Sequence, residues 1–263
     1  MRVCVLGSGS KGNSTYIECG DTGILIDAGL SCAQIEKRLK TINVNPYSIK
    51  AILVTHEHAD HIYGAPAFAQ KYGARIYTHK DTWQAMEHKF DNLAYSQMID
   101  ICNDFAINDI HISTFDLSHD AAHCLGYTLT HGNNKMSIAT DLGFVTDKIL
   151  HNLIGSDIVV LESNHDISTL INNQNYPLYL KNRILSNHGH LNNNAAADSI
   201  VQMLGYNVRG VILAHLSEQN NSPQLAQKTV CDTLSKAGAT AGKDIIVDLA
   251  HQQKVGNIFK IKE

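Results

Sequence analysis

The densest chemistry in the 263-residue chain lies in "LVTHEHADHI", residues 53–62. There His56, His58, Asp60 and His61 follow an apolar run that reads as a strand over Ala51–Thr55. Side chains two apart on extended backbone point to one side, so His56 and His58 can share a metal ion. Asp60 and His61 fall where the chain must turn, and can face a second ion beside the first. Two ions about 3.5–4 Å apart clamp a nucleophilic hydroxide, the arrangement of many phosphatases and nucleases. Histidine occurs fifteen times, more than twice as often as glutamate, so further ligands are to be sought along the chain.

The amino-terminal loop invites a different reading. Gly7-Ser8-Gly9-Ser10-Lys11-Gly12 formally matches the dinucleotide fingerprint, with Asp27 ending a strand downstream. That fingerprint needs a helix and then a second strand after the glycines, and the residues between Gly12 and Asp27 cannot hold both. As a phosphate loop it fails at Asn13, which stands where the lysine belongs. What remains is a small-residue loop whose N–H groups and Lys11 can meet an anion, or a plain turn between strands.

The elements that must position these residues alternate almost to the end of the chain. Strands are expected over Val3–Leu6, Thr15–Cys19, Ile24–Asp27, Ala51–Thr55, Arg75–Thr78, His111–Phe115, Leu125–Thr130, Lys135–Thr140, Ile158–Leu161, Gly210–Ala214, Ile245–Asp248 and Ile258–Ile261. Helices are expected over Ala33–Lys40, Ala65–Tyr72, Thr82–Lys89, Asp147–Ile154, Leu178–Leu185, Asn194–Leu204 and Pro223–Lys236. A hairpin over Thr15–Asp27 implies antiparallel pairing, so the chain is no simple βαβ repeat but an α/β (α+β) arrangement of stacked sheets covered by helices. No linker or composition break divides residues 1–263, which reads as a single domain. No apolar run approaches the roughly 20 residues of a membrane span. Six scattered cysteines without a C-x-x-C pair, and a start that turns glycine-rich too early for a signal peptide, point to a cytosolic chain with reduced thiols. A net charge of −4 gives no basic footprint for nonspecific nucleic-acid binding.

His56-Glu57-His58-Ala59-Asp60-His61 resembles the signature of the metallo-β-lactamase superfamily. The resemblance implies a four-layer αββα sandwich and two divalent ions, and it extends position by position. Asp27 in "ILIDAGLS" matches the acid that orients the metal loop. His119 in "LSHDAAHCLGY" matches the lone third-motif histidine, with His123 as its competitor. Asp141 in "IATDLG" matches the bridging acid, and His215 in "VILAHLSEQNN" the last ligand. By that resemblance His56, His58 and His119 hold one ion, Asp60, His61 and His215 the other, and Asp141 bridges them. Imidazole and carboxylate ligands suit zinc, manganese or iron. The lone histidines 79, 88, 111, 131, 151, 165 and 251 read as surface or satisfied core residues; His188 is set apart by its neighbour "GHL".

Further motifs lean towards phosphodiesters. "HLS" at His215 is similar to the endings of tRNA-maturing nucleases and cyclic phosphodiesterases of this fold. Gly189-His190 opening a helix resembles their non-ligand histidine near the leaving group, and Glu162 can orient it. "LGSGSKGNSTYIE", "RILSNHGHLNN" and "LAHLSEQNN" together are similar to the WalJ/YycJ (VicX) group of bacterial metallohydrolases, with Asn192 where that group commonly has serine. This implies a cytosolic 5′→3′ DNA exonuclease using a metal-bridging hydroxide. His190 would be the general acid, Glu162 its partner, and Asp60 and Asp141 the catalytic carboxylates. The alternatives are a cyclic phosphodiesterase, thioesterase or lactonase of the same fold, or a non-catalytic regulatory binding protein. Only 48 residues separate Asp141 from His190, too few for a large capping domain. The core itself would then grip DNA, through the ions and groups such as Lys11, Lys181 and Arg183. The loops Ser8–Ser14 and Ser217–Asn221 are expected to line the cleft, with Ser8, Lys11, Asn13, Ser217, Asn220 and Asn221 meeting substrate.

Overall fold

Runs such as Ile24–Ile26, Ala51–Leu53 and Val159–Leu161 are apolar at every position, which suits strands covered on both faces. In the computed structural model, which describes residues 1–90, 93–102 and 104–261, each of these runs is buried throughout. They belong to two mixed sheets of seven strands among the described residues. The first has the order β14(Phe259–Lys260), β1(Arg2–Gly7), β2(Ser14–Cys19), β3(Thr22–Ile26), β4(Ile49–Leu53), β5(Arg75–Thr78), β6(Met98–Asp100). The second has the order β13(Ile246–Leu249), β12(Gly210–Ala214), β11(Ile158–Glu162), β10(Asn134–Ala139), β9(Cys124–His131), β8(Ile110–Leu117), β7(Phe105–Ile107). Each sheet is antiparallel on one side and parallel on the other; β3 to β6 run parallel, as do β10 to β13.

Alternation along the strands then builds the layers. Ile17, Ile24, Ile26 and Leu53 of the first sheet meet Ile112, Tyr127, Val160 and Ile212 of the second in the central core. The opposite face of the first sheet, with Leu25 and Ile52, is covered by α1(Cys32–Thr41) through Ile35 and Leu39, and by α3(Ala65–Tyr72) through Phe68. Val159, Leu161 and Leu213 of the second sheet are covered by α5(Asp147–Leu153), α8(Asn193–Met203) and α9(Pro223–Lys236) through Leu153, Ile200 and Val230. The result is the αββα sandwich expected from the sequence. Every strand and helix read there is present, with ends shifted by a few residues. The short strands β6 and β7 and the short helices α2(Ala59–Ile62) and α6(Ile167–Asn172) are additions. The remaining helices are α4(Lys80–Met86) and α7(Leu178–Leu185).

Candidate metal centre and cleft

Strands that run parallel end together, and groups just past their carboxyl ends meet in one crevice. Asp27 follows β3, His56 follows β4, Asp141 follows β10, Glu162 ends β11 and His215 follows β12. Asp27, Asp141 and His215 leave their strands in the left-handed conformation, at φ 58°, 64° and 54°. Such backbone is costly for residues with a Cβ and persists where the surroundings hold it. Asp27 N–H donates to Leu53 O (2.8 Å) and His215 N–H to Ser8 Oγ (2.7 Å).

Four groups of possible ligand atoms converge, each within 4.8 Å: His56, His58 and His119; Asp60, His61 and His215; His56, His61 and Asp141; and Asp141, Glu162, His190 and His215. Hydrogen bonds fix which ring nitrogen His61, His119 and His215 present. His61 donates Nδ1–H to Asp27 Oδ2 (2.8 Å), His119 to Gly189 O (3.2 Å), and His215 to Glu162 Oε1 (2.9 Å). Thr55 Oγ1 bonds the Asp27 carboxylate and lies 3.0 Å from His56 Nδ1. Each of these imidazoles therefore turns its Nε2 lone pair inward, as metal-ligating histidines do. His56 Nε2, His215 Nε2 and Asp141 Oδ2 are buried with no hydrogen-bond partner. Buried polar atoms left unpaired need a reason, and divalent ions supply one for this set of donors.

The electrostatics agree. Burial and the neighbouring His61 push the His56 imidazole well down, and burial likewise lowers His119, so both favour the neutral, ligating form. Burial works against ionising Asp141, yet His215 and His61 hold its carboxyl well below the usual range. Burial would lower His61 and His215 too. The carboxylates of Asp27 and Asp141 beside His61, and of Asp141, Asp60 and Glu162 beside His215, raise them instead. A pocket this negative holds cations, whether protons or metal ions.

Glu162 organises the other wall. Its Oε1 accepts from His190 Nδ1 (2.8 Å) as well as from His215, and its Oε2 accepts from Leu142 N (3.0 Å) and Leu191 N (3.1 Å). With all four donors on a fully buried carboxylate, it has no capacity left to bind an ion. His190 lines the cleft with His58, Asp60, His119, Asp141 and His215, and its Nδ1 lies 3.6 Å from Asp141 Oδ1.

The expected substrate residues divide. Ser217 lines the cleft, with Ser10, Tyr176, Leu180, Arg183 and His188. Ser8, Asn13, Asn220 and Asn221 sit behind it. Asn13 Nδ2 lies 3.2 Å from Asp60 Oδ2 and so braces that carboxylate; it also lies 3.0 Å from His61 Nε2, the lone pair an ion would take over. Ser8 holds the His215 backbone; Asn221 Nδ2 donates to Ser163 O and Asn164 O (both 2.9 Å); and Asn220 Oδ1 accepts from Asn173 Nδ2 (2.6 Å). Small polar residues beside a candidate ligand suggest a cleft wall in the sequence; in the fold Ser8, Asn13 and Asn220 are buried and Asn221 half-buried behind it. Lys11 is exposed and paired with Glu218 (2.6 Å), and Lys181 Nζ donates to Ile171 O (2.6 Å); neither lines the cleft. Arg183 does, while paired with Asp120 (2.9 Å).

Several supporting residues escaped the sequence reading. Glu57 Oε1 accepts from Ala122 N (2.8 Å), tying the histidine motif to the loop that carries His119. Asn164 Nδ2 donates to His215 O (2.8 Å). A Cβ at Gly29 would stand 1.6 Å from Asp60 O, so only glycine admits the ligand loop there. Its place inside the histidine motif was the one available signal for Glu57; nothing local marks Asn164 or Gly29.

This sandwich, with its histidines and carboxylates gathered at the strand ends, has the metallo-β-lactamase fold of metal-dependent hydrolases. The chain belongs to that superfamily: the family described as Beta-lactamase superfamily domain matches residues 22–216. It is 37% identical over 252 residues to exodeoxyribonuclease WalJ of Streptococcus pneumoniae serotype 2 (strain D39 / NCTC 7466), covering 94% of this chain and 93% of that protein. To exodeoxyribonuclease YycJ of Bacillus anthracis it is 36% identical over 245 residues, covering 92% of each. Among solved structures, the metallo-beta-lactamase fold protein YhfI from Bacillus subtilis superimposes with a TM-score of 0.72 at 18% identity over 98% of both chains, a likeness of fold.

Proposed function

We propose that the chain is a dinuclear metal-dependent phosphodiesterase that degrades DNA from a 5′ end. The observation that carries this reading is Asp141, whose buried carboxylate lies 3.2 Å from His61 Nε2 and stands between the His56–His58–His119 and Asp60–His61–His215 groups beside His190. The first group would hold one ion, the second the other, and Asp141 both. When bound, such ions lower the pKa of water and offset negative charge at phosphorus. The names of the two relatives favour DNA, the motifs around His190 and His215 favour a phosphodiester, and the resemblance to the WalJ/YycJ group alone implies the 5′ end. Zinc, manganese or iron suits the donors.

The chain's own groups do the rest. Glu162 holds His190 through Nδ1, which leaves Nε2 to deliver a proton to the departing 3′-oxygen. Asp27 and Asn13 keep His61 and Asp60 from swinging. The cleft, about 250 Å³ between Tyr176, Arg183 and Ser217, has room for an end nucleotide rather than a duplex. The chain acts as one hydrolase domain, since β14 pairs with β1 and the last strand closes the first sheet. No helix among the described residues is long and apolar enough to cross a membrane, and the thiols of Cys4, Cys19 and Cys124 are buried and free. Both fit work in the cytosol.

The test is a time course on 5′- and 3′-labelled DNA, RNA, a cyclic nucleotide, a thioester and a lactone, with added zinc, manganese or iron. Release of the 5′ label first, abolished in Asp141→Ala, is expected. Trimming of the 3′ label first would remove the polarity, and hydrolysis of only the thioester or lactone would remove the nuclease reading.

A further inference from the structure

His123 competes with His119 in the sequence, and the structure sends the two to different places. His119 faces Asp141, whereas the ring of His123 stacks on that of His79, with centroids 3.8 Å apart and planes 23° apart. Asp81 Oδ2 lies 3.4 Å from His79 Nδ1 and 4.0 Å from His123 Nδ1. One ring nitrogen of each histidine and one oxygen of Asp81 all fall within 4.8 Å of one another. Ligand atoms around a tetrahedral zinc with bonds of about 2.0–2.1 Å stand roughly 3.3 Å apart, so the three groups must draw together and the stacked rings tilt apart to meet one ion. His79, read from the sequence as a lone surface or core residue, is thus a member of a cluster.

Two features prepare the cluster for an ion. His123 Nε2–H donates to Asp116 Oδ1 (3.1 Å), which leaves the Nδ1 lone pair facing Asp81. A carboxylate behind an imidazole is the support that ligating histidines carry. The backbone is also held in place: Thr82 Oγ1 donates to His123 O (2.9 Å), and Ala122 N–H is bound by Glu57. His79 Nδ1 accepts from Asp81 N at 3.3 Å as the cap of α4, a long bond that a cation can displace. The side chains of His79 and His123 are only 19% and 28% exposed, partly stripped of water yet open to an ion.

We propose that His79, Asp81 and His123 form a third, mononuclear site for a borderline transition metal such as zinc, completed by water, with Asp116 as its positioning residue. Two imidazoles and one carboxylate select such an ion over magnesium or calcium. The ion would tie α4, beside the first sheet, to the loop between β8 and β9 of the second. That loop carries His119, so the site would brace one wall of the cleft from outside it.

The test counts ions and does not depend on nuclease activity. Metal-stripped protein is dialysed against graded zinc, and bound zinc per chain is measured by mass spectrometry beside hydrogen exchange. Wild type should bind one zinc more than a His79→Asn/His123→Ala double variant, in which asparagine keeps the helix cap. Exchange over residues 79–83 and 118–124 should slow as that last zinc binds. Should the double variant misfold, Asp116→Asn decides instead: the last zinc should bind about 10–100-fold more weakly, at unchanged final count. Equal counts in wild type and double variant, or unchanged zinc affinity in Asp116→Asn, would overturn the proposal.

Discussion

Replacing Glu162 by glutamine changes almost no volume, yet the surroundings permit no good arrangement of the amide. Four N–H groups converge on the carboxylate: His190 and His215 on Oε1, Leu142 and Leu191 on Oε2, at 2.8–3.1 Å. If the amide oxygen faces the imidazoles, its NH₂ confronts two buried backbone donors. Each unpaired donor costs about 1–3 kcal/mol, so stability should fall by about 2–6 kcal/mol. If the amide turns over, both imidazoles must move a proton from Nδ1 to Nε2 to accept from it. His215 Nε2, buried and unpartnered, then carries hydrogen and cannot ligate. Metal affinity at that site should drop by at least the 10–100-fold typical of losing a supporting carboxylate. Burial alone would raise the Glu162 carboxyl, yet His190 and His215 hold it at about 2, so the wild-type group is an anion at any pH of interest. Urea unfolding of metal-free protein reads the first outcome, and metal content after dialysis reads the second. Glu162→Gln with wild-type unfolding free energy and a full complement of metal would refute the four-donor account.

Three further variants test the surrounding machinery. His190→Ala should lose about 10²–10⁴-fold on DNA, keep much of its activity on a bis-nitrophenyl phosphodiester whose leaving group needs no proton, and retain its metals; equal losses on both substrates would end the general-acid role. Gly29→Ala drives a Cβ to 1.6 Å from Asp60 O, so Asp60 must move by about 1 Å or more. A displacement of that size costs about 10²-fold in rate, and an unchanged rate with unchanged metal content would show that the loop yields freely. Burial lowers the His165 imidazole to about 4, and neither of its nitrogens has a hydrogen-bond partner among the described residues. Below about pH 6.5 the unfolded chain binds a proton there that the folded chain refuses, so stability is full above 6.5 and falls towards pH 4, by about 3 kcal/mol. His165→Leu, measured by urea unfolding of metal-free protein across that window, should remove this component; an identical acid loss in both proteins would rule it out.

The candidate ligand set was legible because its grammar is local. His56, His58, Asp60 and His61 are spaced by the two-residue repeat of a strand end and the turn after it, Asp141 and His215 close largely apolar runs that read as buried strands, and His119 follows an alternating strand. The strands and helices themselves were legible for the same reason. The exceptions, β6, β7, α2 and α6, are three to six residues long and too short to display a period. What the tertiary structure decided is which polar groups answer one another across the two sheets. Glu162, read as a partner of His190, proved to be shared with His215 and two backbone donors. Asn13 and Ser8 changed from cleft wall to buried brace, Asn221 to a half-buried one, and His79 acquired Asp81 and His123. The left-handed turns at Asp27, Asp141 and His215 were equally invisible, since aspartate and histidine favour no such backbone strongly enough to announce it. A side chain's apolar or ligating character is fixed by its own atoms and its neighbours in sequence. The hydrogen-bond partner of a buried polar group is fixed by which distant strand end arrives beside it, and that is settled only when the sheets close.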